Sequence, residues 1–296
     1  MSRSLALYAA ILLVVAAQAC LGRELHAERS LYRNILVTEV DGMVCLHFSV
    51  RREEHSQSCR WPLAPRAVVF PYSRMMFASL LAAPAPRRVL MVGLGGGTIP
   101  VALHELLPAA QIDIVEIDAA VLRVAQRYFD FHSAPNMTVT IADARVFIKR
   151  ALKSGRQYDL ILLDAFNGDY IPEHLMTREF LTECRSLLST DGVLAANTFS
   201  ISKLYDHESV TYRAVFPEFL TLKTKASLNR IIIASKAPLP ADELIARRAA
   251  ELRTRLAPYQ IEIDTFAAQL SRAVDWNPGA RVLTDQYSPV NLLRGQ

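Results

Sequence analysis

From Arg88 onward, short apolar runs alternate with segments whose apolar positions recur every three or four residues. The runs RVLMVG, QIDIVEID, MTVTIAD, YDLILLDAF and DGVLAANTF read as buried parallel strands, and AAVLRVAQRYF and ADARVFIKRAL as the helices between them. LNRIIIAS extends the same sheet, and PADELIARRAAELRTRLAPY predicts a long amphipathic helix with Asp242 and Glu243 in its first turn. This alternation predicts an α/β fold, a doubly wound and mostly parallel sheet.

The pattern before Arg88 differs. From Ser30 to about Trp61 it is that of a small antiparallel β module: NILVTEV, a tight turn at Asp41-Gly42, MVCLHFSV, the polar turn RREE, and a third short strand. The helical segment YSRMMFASLLAAP leads out of it, and Pro84 and Pro86 punctuate the boundary. The expected division is therefore 1–22 as a leader, 30–80 as the β module and 87–296 as the large domain. Folding the hairpin at Arg52 sets Cys45 opposite Cys59, where the two either bridge, as in an oxidising compartment, or pack as separate half-buried thiols. Cys184, in helical FLTECRSLL, is expected to pack.

Composition narrows the class. With 296 residues, 51% hydrophobic and 21% charged, the chain can bury a sizeable core, and wholesale disorder is excluded. A net charge of +4 without any block of like charges gives no footprint for nucleic acid. At the N-terminus, Arg3 precedes the uncharged run Leu5 to Ala17, followed by AQAC, the form of a secretory signal. An uncleaved membrane anchor and a lipid-modified Cys20 stay open beside it. The expectation is an exported or membrane-anchored protein, with the cytoplasmic face of the membrane as the alternative.

In an open parallel sheet, ligands bind beyond the carboxyl ends of the strands. The first strand ends in GLGGGT, where Gly93, Gly95 and Gly97 let the backbone approach a ligand at a helix start. The second ends in VEID, placing the Glu116 carboxylate at the spacing that suits a ribose diol. The third ends at Asp143, which either accepts from a purine amine, with the N–H of Ala144 facing a ring nitrogen, or caps the next helix. The fourth ends at Asp164. Three carboxylates and a glycine loop on one edge make an adenosine site, and no phosphate-binding lysine motif accompanies them, which favours an adenosyl thioether or sulfonium over ATP.

Together VLMVGLGGGT, VEID, ADARVFIKRA, YDLILLDAF and VLTDQYSPVNLL resemble the spermidine synthase family of aminopropyltransferases, in its bacterial spermidine-synthase-like branch. The resemblance implies a methyltransferase-like Rossmann fold and transfer of an aminopropyl group from decarboxylated S-adenosylmethionine to putrescine or a related amine. It implies that Glu116 holds the ribose, Asp143 and Ala144 the adenine, Gly93, Gly95 and Gly97 the loop beneath the donor, and Asp164 the reacting amine, with Tyr72 shaping the amine pocket. It also marks departures. Asn167 stands where a second aspartate is expected, the loop GLGGGT lacks its usual aspartate, and Ser73 and Arg74 follow Tyr72 where histidine and glutamate are usual. Asp169, Tyr170 and His174 are the candidates to supply what is missing, Asp169 as a catalytic base and Tyr170 in the amine pocket. Trp276 and Tyr287 are candidates for an aromatic wall against a cationic ligand, a place that burial alone would also explain.

The leading expectation is an aminopropyltransferase-like enzyme. A methyltransferase using S-adenosylmethionine on an unknown acceptor and a non-catalytic adenosyl-ligand-binding protein stay open. No permanently bound cofactor or metal is expected; the partners are an adenosyl donor and an amine acceptor, the membrane through the N-terminal segment, and a second copy of the chain in a homodimer.

Overall fold

The computed structural model describes residues 22–49, 56–166 and 171–288. Two sheets organise them. The smaller is antiparallel, in the order β1 (Arg23–Arg29), β2 (Asn34–Val40), β3 (Met43–His47) and β4 (Ser56–Arg60). The larger contains β5 (Arg88–Val92), β6 (Gln111–Glu116), β7 (Met137–Ile141), β8 (Tyr158–Leu163), β9 (Leu188–Phe199), β10 (Phe219–Lys223) and β11 (Asn229–Ser235). Its order is β10-β11-β9-β8-β5-β6-β7; the five strands from β9 to β7 run parallel, while β11 and β10 are antiparallel. Chain order reverses between β5 and β8, so the switch point where α/β sheets open a crevice lies between Gly93 and Asp164.

Helices cover both faces. Successive strand side chains point to opposite sides. Val89, Met91, Leu160 and Leu162 pack towards α1 (Pro71–Met76), α2 (Thr98–Leu106), α7 (Asp242–Leu256) and α8 (Ile263–Gln269). Leu90, Val92, Ile161 and Leu163 pack towards α4 (Ala144–Lys153), α5 (Arg178–Leu187) and α6 (Tyr205–Val215). In α7 the buried residues Ile245, Ala249, Leu252 and Leu256 form the apolar stripe that its periodicity predicts. Cys184 is fully buried among the second group.

Helix α3 (Ala119–Tyr128) decides where the small sheet sits. Its buried Ala120, Val121 and Val124 share one apolar cluster with Ile35, Val37, Val44 and Leu46 of β2 and β3. Because α3 follows directly on Glu116, this packing brings β4 over the carboxyl edge of the large sheet. Cys45 and Cys59 face each other in the β3–β4 ladder and are joined by a disulfide.

Two expectations are corrected. The small sheet begins at Arg23 rather than near Ser30, because RELHAER forms an outer strand whose mostly polar side chains carry no apolar alternation to announce it. The reading of an exported or membrane-anchored protein is also overturned: among the described residues no helix is long and apolar enough to cross a membrane. The longest of these helices, α7, has 15 residues, roughly 22 Å at ~1.5 Å per residue against a hydrocarbon core of about 30 Å, and it is rich in charge. The signal-like segment 1–21 lies outside the described residues.

Candidate active site

A cleft of about 660 Å³ opens over the switch point, between the carboxyl ends of β5, β6, β7, β8 and β9 and the overhanging β4. Gly93, Gly95, Glu116, Asp143, Ala144, Asp164 and Tyr72 all line it. Gly97 does not; it caps α2 with φ +79°, its α-carbon against the ring of Phe131.

Gly93 shows why glycine is needed at the end of β5. Its φ is +98°, and a Cβ there would stand 2.3 Å from the backbone oxygen of Asp164. The two strand ends thus touch at the floor of the cleft.

Glu116 is buried at 6% exposure. Its Oε2 accepts the N–H of Leu94 at 3.1 Å and its Oε1 accepts that of Asp118 at 3.0 Å, so this carboxylate ties the glycine loop to the end of β6. Burial pushes its pKa up, while those two N–H groups and the nearby Arg33 guanidinium pull the other way. Each carboxylate oxygen keeps a second lone pair, enough for two hydroxyl donors from the cleft side.

Asp143 performs the capping alternative: Oδ1 accepts the N–H of Val146 at 2.9 Å at the start of α4. Its Oδ2 lies 3.0 Å from Nε2 of His174, which the short 3₁₀ turn Glu173–Leu175 brings to the cleft.

Asp164, at the end of β8, is also perturbed. Burial pushes its pKa up to about 7, although the Nδ2 amide of Asn197 donates to its Oδ1 at 2.9 Å and opposes the shift. Asn197 is oriented in turn by Asn229, whose Nδ2 donates to the Asn197 Oδ1 at 2.9 Å. Tyr72 donates from its hydroxyl to the carbonyl of Gln57 at 3.3 Å, and burial together with the neighbouring Asp164 charge raises its phenol well above the ordinary range. A carboxyl with a pKa about 7 is a far better proton acceptor than an ordinary aspartate.

Asn167, Asp169 and Tyr170 lie outside the described residues. Trp276 and Tyr287 form no wall of this cleft. Trp276 stacks on Phe219 in the core, at 6.2 Å between ring centroids, and Tyr287 lies under the Arg281 guanidinium at 3.5 Å. Apolar burial and a local cation–π contact account for them. Three cleft residues escape a strand-end reading. Asn197 lies near the end of β9 beside Asp164 and carries a usable signal, the first amide after an apolar run. Arg33 comes from the β1–β2 turn and Ser58 from β4, and only the docking of the small sheet through α3 brings them to the site.

The family model for the spermine/spermidine synthase domain matches residues 69–219. A polyamine aminopropyltransferase from Vibrio vulnificus is 50% identical over 272 residues, 91% of this chain and 91% of that protein. The chain belongs to the spermine/spermidine synthase family. Solved structures agree on the fold: a probable spermidine synthase from Corynebacterium glutamicum superposes with TM-score 0.67 at 19% identity, covering 88% of this chain and 96% of that one. Human methyltransferase-like protein 13 in complex with SAH superposes with TM-score 0.59 at 28% identity, covering 63% of this chain and 92% of that one. The same fold thus also occurs in an SAH-bound methyltransferase-like protein.

Proposed function

We infer that the protein is an aminopropyltransferase of polyamine biosynthesis, moving the aminopropyl group of decarboxylated S-adenosylmethionine to putrescine or a related amine. The observation that carries this reading is the half-buried Asp164 carboxyl at the sheet's switch point, its pKa pushed up to about 7, in a chain 50% identical to a polyamine aminopropyltransferase. The donor lies over the glycine loop at Gly93 and Gly95, with Gly97 setting the start of α2. Glu116 accepts from its ribose hydroxyls, and the adenine lies towards Asp143 and Ala144.

The amine acceptor enters as a cation and needs a free lone pair to react. Asp164 binds the ammonium and takes its proton; Asn197 holds the carboxyl in place, and Tyr72 forms the pocket wall. The nitrogen lone pair then attacks the carbon bonded to sulfonium, the C–S bond breaks, and its electron pair stays on sulfur as a neutral thioether. The positive charge passes from sulfur to the new secondary ammonium of the aminopropylated amine. With Asn167 at the position of the family's second aspartate, Asp164 is the carboxylate that takes the proton and Asp169 is the alternative base. Asp164→Asn and Asp169→Asn separate these roles.

A second reading, methyl transfer from S-adenosylmethionine, is favoured by the short glycine loop, which resembles generic methyltransferase loops, and by the likeness to the SAH-bound human protein. Calorimetric titration with S-adenosylmethionine, its decarboxylated form and methylthioadenosine separates the readings. Preference for the decarboxylated donor is expected; preference for the intact donor would move the assignment to methyl transfer.

A further inference from the structure

The glycine loop is held from outside its own sheet. Within Gly93 to Gly97, the N–H of Gly93 donates to Val115, that of Leu94 to Glu116 and that of Gly97 to Leu94. The Gly96 N–H donates instead to the Oγ of Ser58 on β4, at 2.9 Å. A Cβ at Gly95 would stand 2.7 Å from that same oxygen, so β4 rests directly on the loop. Gly93, Gly95 and Gly97 have φ of +98°, +55° and +79°, and a run of glycines in the left-handed region loses much conformational freedom when ordered, so one external tie counts for more than it would on a stiffer loop.

The tie depends on where β4 is. This strand has five residues and lies at the edge of the small sheet, where it pairs with β3. The residue after Ser58 is Cys59, whose disulfide to Cys45 crosses the β3–β4 ladder. Gln57, the residue before, receives the Tyr72 hydroxyl on its carbonyl oxygen. The covalent cross-link, the loop contact and the Tyr72 contact thus fall on three consecutive residues of one short edge strand, all three lining the cleft.

We propose that Ser58 is a donor-positioning residue, and that its hold on the glycine loop is set by the redox state of the Cys45–Cys59 disulfide. A dithiol reductant opens the bond: one thiolate attacks Sγ of Cys59, Cys45 leaves as a thiolate, and the second thiol of the reductant resolves the mixed disulfide. The protein gains two electrons and two protons, and the reductant becomes its cyclic disulfide. Without the cross-link, β4 loses its covalent anchor, the Ser58 contact loosens, and the loop is ordered only at the expense of donor affinity.

The inference rests on the adenosyl-donor reading, and its test separates the two. Methylthioadenosine is titrated into oxidised protein, into dithiothreitol-reduced protein with both thiols verified by alkylation and mass, and into Ser58→Ala in both redox forms; thermal melts check the fold. Loss of one net hydrogen bond and its ordering corresponds to roughly three- to tenfold in affinity. The expected result is that reduction weakens wild-type binding by about that factor, while Ser58→Ala is weakened in both forms and responds no further. Equal affinity of the two wild-type forms would overturn the proposal, as would Ser58→Ala that binds like oxidised wild type or still responds to reduction. Global unfolding on reduction would also overturn it, making the disulfide a structural staple. Failure of oxidised wild type to bind at all would instead overturn the adenosyl-donor reading beneath it.

Discussion

If burial is what raises Asp164, replacing it with an isosteric amide changes how stability depends on pH, and the sign can be worked out. An aspartate whose folded pKa is raised resists ionisation in the native state, so stability is highest below the unfolded pKa and falls as pH rises towards the folded one. For Asp164 that window runs from the usual carboxylate value near 3.8 to about 7. At about 1.4 kcal/mol per pH unit the full displacement corresponds to roughly 4 kcal/mol. The carboxyl lines an open cleft, and water there screens it, so about 1–3 kcal/mol is the expected share. Asp164→Asn removes this titration while keeping a side chain that Asn197 can contact. Urea denaturation of ligand-free wild type and variant, from pH 4 to pH 8, measures the difference directly. Glu208, also pushed up by burial to about 7 despite its Arg230 partner, titrates in both proteins and cancels in the comparison. The variant should gain on wild type as pH rises, reaching its full advantage above pH 7. Parallel stability curves across that range would refute the burial argument for Asp164.

Two further changes probe separate parts of the structure. Glu116→Gln should weaken adenosyl-ligand binding by ~1–3 kcal/mol in a folded protein, measured by calorimetry, because the carboxylate loses charge-assisted hydrogen bonds from the ribose. Arg230, with no exposed surface, bonds Thr198, Ser209 and Glu208 and stacks on Tyr205. Arg230→Met should cost about 3–5 kcal/mol in chemical denaturation by leaving Glu208 buried and unpaired, and Arg230→Met with Glu208→Leu should recover much of it.

The parts of the site that come from the large sheet were legible for a physical reason. Parallel strands end at a common edge, so reading the residue after each apolar run finds Gly93, Glu116 and Asp164 without coordinates. Asp143 was ambiguous because an aspartate before a helix satisfies the same pattern whether it caps or binds, and here it caps Val146. Asn197, after the apolar run of β9, carried a similar signal. Ser58 and Arg33 carried none, because their place depends on how β2 and β3 pack on α3, a tertiary contact with no local periodicity. β1 was hidden by its polar sequence. Trp276 was ambiguous in the same way, since an aromatic residue fits a core as well as a ligand wall, and packing on Phe219 decides it.

The central claim is that this cleft transfers an aminopropyl group with Asp164 as the proton acceptor. It is tested most directly by incubating the protein with decarboxylated S-adenosylmethionine and putrescine, and following the aminopropylated amine and methylthioadenosine by mass spectrometry, for wild type and Asp164→Asn. Wild type should form both products in equal amounts. The variant should bind the donor and turn over roughly 10²–10⁴-fold more slowly, the usual worth of general-base assistance. A wild type that binds the donor yet transfers nothing to any di- or polyamine, or an Asp164→Asn variant that works at the wild-type rate, would contradict the account.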